Sequence, residues 1–333
     1  MDWATSEFKQ LNQYHAQNMF VNPTYAPSKA NILPLIWTYL IKTDGTKKAR
    51  CACNGSPHRK GTVTLDHTYA AALDQFGART FWAIIALYNY GTYGADATNA
   101  FAEAPPPKAP LYVTIDDSFK IWWEQVLKRP PIKKGHVLPV RHALQGHPES
   151  PRLWAKLIHE ILRKLDFHST THEPCLYSGI LENKRIFLLR QVDDFAVSSP
   201  DSKLANLLFH KIQQYLTQPL KLLGILTMYN GLDITQTDKF IKLSCKTYLL
   251  KILQGHGWHN PTTQSKIRNP MNHEKNYITS IEISVGPEDV NEQRSLQLEM
   301  GFSYRRTIGE LIVNTTINHL VIIIVNNIVI TNL

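Results

Sequence analysis

Ile186-Phe187-Leu188-Leu189-Arg190-Gln191-Val192-Asp193-Asp194-Phe195-Ala196-Val197-Ser198-Ser199 is the stretch that decides the fold. Two apolar runs, Ile186–Arg190 and Phe195–Ser199, flank a short polar segment. That pattern predicts a β-hairpin with paired carboxylates at its tip. Side chains alternate along a strand, so adjacent aspartates face opposite sides. At a tight turn the rule relaxes, and one or both can reach a common ligand. An uncompensated carboxylate pair between apolar strands is electrostatically costly. A divalent cation removes that cost, and magnesium, which takes oxygen ligands, is the natural candidate. Asp is also a common turn residue, so a plain polar turn competes. The apolar flanks favour a buried hairpin.

Outward from the hairpin, Thr92–Asp96 reads as a short strand ending in a third carboxylate, and Phe101 follows five residues later. Between the acidic sites lies Gln145-Gly146-His147-Pro148-Glu149-Ser150-Pro151-Arg152-Leu153-Trp154. Ser150-Pro151 predicts a helix start, with Ser as cap and Pro at the first position. Leu153, Trp154, Leu157, Ile161 and Leu165 give that helix an apolar face. Ile32–Lys42 reads as a strand, Thr43–Thr46 as a hairpin turn, and Lys47 onward as the returning strand. Leu73–Tyr90 and Leu204–Leu216 have helical spacing. Met228–Thr235 and Phe240–Leu243 read as strands. Residues 1–31 are expected to form a flexible lead-in.

The bulk numbers agree with a polyanionic partner. The chain has 333 residues, a formal charge of +9 and a pI of about 9.2. Phe119–Lys164 holds ten Lys/Arg against three acids, Glu124, Glu149 and Glu160. Clustered basic charge of this kind fits phosphate backbones. Four sparse cysteines, Cys51, Cys53, Cys175 and Cys245, argue against a disulfide framework. Cys51 and Cys53 with His58 match no standard zinc spacing. No secretory signal is read at the polar N-terminus. Leu311–Leu333 has no Lys, Arg, Asp or Glu but is interrupted by asparagine and threonine, so a final core element, or sequence altered by truncation, is expected rather than a membrane span.

Taken in order, these elements resemble the reverse transcriptase of copia-type LTR retrotransposons. Asp96-Ala97-Thr98-Asn99-Ala100-Phe101 is similar to the first metal-binding motif of that family. Gln145-Gly146, three residues, Ser150-Pro151, Arg152 and Trp154 is the most specific match. Lys47-Lys48-Ala49-Arg50 resembles the fingers hairpin, Tyr229–Ile234 the hairpin that grips the primer end, and Tyr304–Leu311 a segment downstream of the polymerase core. Three departures stand out. Gln191 replaces an aromatic before Val-Asp-Asp, Cys51–Gly55 replaces a glycine-rich segment, and Leu311–Leu333 leaves the family pattern.

The resemblance implies an α+β right-hand polymerase with a mixed palm sheet and packing helices. Fingers and palm are expected over 32–235, and a thumb or connection over 236–333 that stops before any RNase H domain. The implied activity is RNA-directed DNA synthesis, with Asp96, Asp193 and Asp194 holding two magnesium ions (manganese being an alternative). Lys48 and Arg50 are expected on the triphosphate, Phe101 under the sugar, and Gln145-Gly146 against the nucleotide, where glycine permits close backbone approach. Phe101 as simple core packing is the competing reading. Lys221 is expected near the pyrophosphate. Ser150, Pro151, Arg152, Tyr229 and Gly231 are expected near template and primer, with solvent as the other choice for Arg152. Partners are an RNA or DNA template with primer, and dNTPs, without a membrane. The setting is a cytoplasmic particle or the nucleus. The rival readings are a decayed remnant that binds nucleic acid without turnover, and an unrelated metal-dependent nuclease.

Overall fold

The N-terminal segment is a helix rather than a flexible lead-in. α1 covers Ala4–Ala16 and buries Glu7, Gln10, Leu11 and Tyr14 on one face. Half of that face is polar, which hides its helical period in the sequence. The polar groups are satisfied by tertiary partners: Tyr39 and Ser118 hydroxyls donate to the Glu7 carboxylate, and the Tyr14 hydroxyl donates to the Cys51 carbonyl. The computed structural model describes residues 3–42, 45–56, 68–257, 289–301, 303, 306–307, 321–324 and 331–332.

The chain forms two units, Met1–Leu226 and Thr227–Leu333. In the first, β1 is Thr24–Tyr25, β2 Asn31–Leu33, β3 Leu35–Ile41 and β4 Lys47–Cys53. The expected strand 32–42 is thus divided at Pro34, which has no amide hydrogen to give a ladder. β3 and β4 pair antiparallel from Leu35↔Cys53 to Ile41↔Lys47, the expected hairpin. Of its turn, Thr43 and Asp44 lie outside the described residues.

Helix α2, Gln75–Tyr88, is capped by the Asp74 side chain and followed by Asn89 in the left-handed region. Next come β5 (Gly91–Ala97), a 3-10 turn (Ala100–Glu103), β6 (Leu111–Val113) and α3 (Asp117–Ile121). β7 is His136–Pro139 and α4 is Ser150–Lys164. β8 (His168–Ser169), β9 (Leu176–Leu181), β10 (Lys184–Gln191), β11 (Asp194–Ser199), α5 (Ser202–Gln213) and β12 (Leu220–Ile225) complete the unit.

A four-stranded sheet, β1-β7-β6-β2, is mixed because β2 and β6 run parallel. A six-stranded sheet, β12-β5-β11-β10-β9-β8, carries the aspartates, and each of its pairs is antiparallel. The expected α+β class with a mixed sheet is therefore present, with the acids on the antiparallel sheet. α4 and α5 bury Trp154, Ile158, Leu162, Leu208 and Phe209 with Leu188 and Phe195 from the sheet. Each such side chain contributes roughly 1.5–3 kcal/mol of burial. A second core joins Leu11 and Tyr14 of α1 to Cys51, Cys53, Phe119 and Trp122. Both thiols are buried there, and burial pushes the Cys53 thiol up to about 12. A neutral buried thiol packs as a small hydrophobe. His58 lies outside the described residues.

The second unit holds β13 (Met228–Tyr229), β14 (Leu232–Gln236), β15 (Phe240–Ser244), α6 (Lys246–Gly255), α7 (Val290–Met300), β16 (Val321–Ile324) and β17 (Thr331–Asn332). These strands form one antiparallel sheet in the order β13-β14-β15-β16-β17. The division after Leu226 puts the Tyr229–Ile234 hairpin in the second unit, whereas the sequence boundary at 235/236 put it in the first. Most of Tyr304–Leu311 lies outside the described residues. Among the described residues no helix is long and apolar enough to cross a membrane.

Candidate active site

The carboxylates sit where three strands meet. Gln191 pairs with Asp194 across the hairpin, which leaves Val192-Asp193 as a two-residue turn. Asp193 therefore occupies the tip, and Asp194 is already the first residue of β11. Val192 has φ 53°, an uncommon conformation for a β-branched residue. Two bonds hold it there: the Trp154 indole donates to the Val192 carbonyl at 2.7 Å, and the Ala97 amide donates to the Asp193 carbonyl at 2.9 Å. Asp96 on β5 lies opposite Asp194 on one side and opposite Lys221 of β12 on the other.

These elements open onto a cavity of about 570 Å³, the size of an ordinary small-molecule site. Asp96 and Asp193 line it together with Lys9, Lys42, Lys47, Lys48, Arg50 and Lys221, so two carboxylates face six cations. Phe101, Gln145 and Asn99 also line it. Burial first, then Asp193, raises the Asp96 carboxyl, while Lys221, Lys48 and Arg50 pull it back. Burial, then Arg50 and Lys42, lowers the Lys48 ammonium, opposed by Asp96 and Asp193. Burial, then Asp193 and Asp96, pushes the Asp194 carboxyl up to about 6.

Of the residues singled out in the sequence, Lys48, Arg50, Asp96, Phe101, Gln145, Asp193 and Lys221 share this cavity. Phe101 lines the cavity and also packs against the core beneath the sheet. Asp194 is not among the lining residues, and neither is Gly146. The close approach that needs Gly146 is to β4: at φ +89° a Cβ there would stand 2.0 Å from the Cys53 carbonyl oxygen. The neighbouring Gln145 carbonyl accepts from the Cys53 amide at 2.8 Å. The glycine thus serves backbone packing between the 145–146 segment and the basic hairpin.

Ser150 does not cap α4. Glu149 occupies the N-cap, and the Ser150 hydroxyl reaches back to the Leu144 carbonyl at 2.7 Å. Pro151 follows in the first turn, where its missing amide hydrogen is harmless. Arg152 is exposed. Gln191, where the family pattern has an aromatic, accepts from the Leu73 amide at 3.1 Å and so anchors the approach to α2. Tyr229 and Gly231 belong to the second unit, where Asn230 and Gly231, both at positive φ, turn the β13–β14 hairpin. Sequence reasoning missed Lys9, Gln10, Gln13, Lys42 and Asn99. The signal for the first four is polar residues on α1 and at the hairpin end, while Asn99 stood inside the Asp96–Phe101 string without a role of its own.

Among the described residues no group of three His, Cys, Asp or Glu side chains is gathered as a metal cluster. Magnesium does not require one, because it commonly takes one or two carboxylates plus substrate phosphates. Asp96 and Asp193 offer that donor set on one cavity; burial first, and then the neighbouring carboxylates, raise Asp96 and Asp194, and a cation beside them would favour their charged forms. The residues present fit a divalent ion.

Comparison with known proteins follows the same lines. A family profile described as "Reverse transcriptase (RNA-dependent DNA polymerase)" matches residues 21–271. The retrovirus-related Pol polyprotein from transposon TNT 1-94 of Nicotiana tabacum is 23% identical over 267 residues, 77% of this chain and 19% of that one. The putative transposon Ty5-1 protein of Saccharomyces cerevisiae is 30% identical over 111 residues, 32% of this chain and 35% of that one. The chain thus spans well under half the length of these relatives. A foamy viral protease-reverse transcriptase solved with dsDNA is similar at a TM-score of 0.45 and 17% identity, covering 85% of this chain and 52% of that one.

Proposed function

The chain belongs to the reverse transcriptase (RNA-dependent DNA polymerase) family, in its copia-type retrotransposon branch, and on that premise we propose that it adds deoxynucleotides to a primer 3′-hydroxyl under the direction of an RNA template. The observation that carries this reading is the cavity in which two carboxylates face six cations. A triphosphate needs such an excess of positive charge, and charge-assisted contacts in a partly buried site are strong.

On this reading β3–β4 is the fingers hairpin and the six-stranded sheet the palm. Lys48 and Arg50 hold the triphosphate, and Lys221, beside Asp96, takes the pyrophosphate end. Phe101 floors the sugar and disfavours a 2′-hydroxyl. Gln145 lines the nucleotide's side of the cavity. Asp96 and Asp193 would hold magnesium, and Asp194 acts on them through charge. Bound magnesium supplies positive charge to the attacking hydroxyl and the leaving phosphates. The exposed cations of 119–164, Arg152 among them, track the template–primer backbone, and Tyr229 and Gly231 contact the primer. Magnesium-dependent extension of a DNA primer on RNA tests this. The parent should extend in magnesium and stop on chelation. Template–primer binding without any extension would leave a non-catalytic nucleic-acid binder.

A further inference from the structure

α1 touches both walls of the cavity. On one side the Ser6 hydroxyl donates to the Lys47 carbonyl and accepts from the Ala49 amide, at 3.1 and 2.7 Å. On the other, both ends of the Asn99 amide are engaged: Gln10 Nε2 donates to Asn99 Oδ1 at 3.2 Å, and Asn99 Nδ2 donates to Gln13 Oε1 at 3.1 Å. Asn99 is at φ 51°, ψ 44° and opens the 3-10 turn that carries Phe101, with its own carbonyl accepting from the Ala102 amide at 2.8 Å. A left-handed residue in front of a single turn has little local support, and an amide bonded at both ends supplies it. Gln10 is buried, and both glutamines line the cavity.

We infer that Gln10 and Gln13 of α1 are positioning residues for sugar selection, clamping Asn99 so that the turn holds Phe101 against the sugar. This rests on the polymerase reading and on the role given there to Phe101. Strictness toward the 2′-hydroxyl is then set by the N-terminal helix, about ninety residues upstream of the filter.

The test measures kcat/KM for dNTP over rNTP in single-nucleotide extension by the full chain. Gln13→Leu removes the acceptor but keeps an apolar stem, and Asn99→Gly keeps the left-handed backbone but removes the amide. Each should lower the ratio about tenfold. Gln13→Glu retains an accepting oxygen and should stay near the parent ratio. Gln10→Ala added to Asn99→Gly should lower the ratio no further, since both act through one contact. In a Phe101→Ala background, Gln13→Leu should have no effect. If the parent extends primers and the ratio is unchanged in Gln13→Leu and Asn99→Gly, the clamp is overturned while the polymerase reading stands. The same holds if Gln13→Leu acts equally without Phe101. A parent that extends with neither sugar overturns the polymerase reading and the clamp with it. Gln10→Ala alone, which removes the buried donor to Asn99 without altering the backbone of the turn, should lower the ratio in the same direction and provides the reading should Asn99→Gly not fold.

Discussion

Asp194 carries its charge against opposition. Its carboxyl is raised from 3.8 to about 6 by burial and then by Asp193 and Asp96. Between those values the folded state binds more protons than the unfolded one, so stability falls as pH rises, and the loss is complete above about 6. Asp194 is only partly buried, so solvent screening reduces the effect to about 1 kcal/mol. Without divalent ions, Asp194→Asn should therefore be about 1 kcal/mol more stable than the parent at pH 7.5 and equal to it at pH 4. Urea melts at the two pH values check this. A gain that persists at pH 4, or none at pH 7.5, contradicts the electrostatic cause. At this scale the sequence disclosed which residues matter more readily than what they touch. Gly146 was legible as a position intolerant of a side chain, but its partner is the Cys53 carbonyl, brought from about ninety residues upstream. Ser150 was legible as part of a helix start, yet its hydroxyl serves the Leu144 carbonyl.

Elements with a clean apolar period were readable in advance. α4 was, because Leu153, Trp154, Leu157, Ile161 and Leu165 repeat at helical spacing, although the apolar residues it buries in the fold are Trp154, Ile158, Ile161 and Leu162. α1 was not, because Glu7 and Gln10 occupy half of its buried face and find partners only in the folded chain. The hairpin was legible as β10–β11, but its tip is fixed by a bond from another element, Trp154 to Val192. Trp154→Phe keeps most of the packing and leaves that carbonyl without its donor. It should lose about 1–2 kcal/mol of stability, more than a conservative core change alone. It should also speed amide exchange at Asp193 and Asp194 relative to β9. Denaturation and hydrogen exchange measure both; unchanged exchange at the tip would show that the indole only fills space.

For the molecule as a whole, the net charge of +9 and the basic stretch 119–164 pointed to a polyanionic partner. The family follows from a profile match over residues 21–271. The unit boundary was harder to read, since a short hairpin near Tyr229 carries no sequence mark of the unit it joins. The gathering of cations was also only half visible. Lys48 and Arg50 share one strand, but Lys9 and Lys221 reach the cavity from α1 and β12. The central claim is that Asp96 and Asp193 carry catalysis within this cavity. Its most direct test is single-turnover primer extension on an RNA template in magnesium, comparing the parent with Asp96→Asn and Asp193→Asn while template–primer affinity is measured alongside. Each variant should lose at least about a hundredfold in rate and keep affinity within a few-fold. Extension at the parent rate by either variant would contradict the claim.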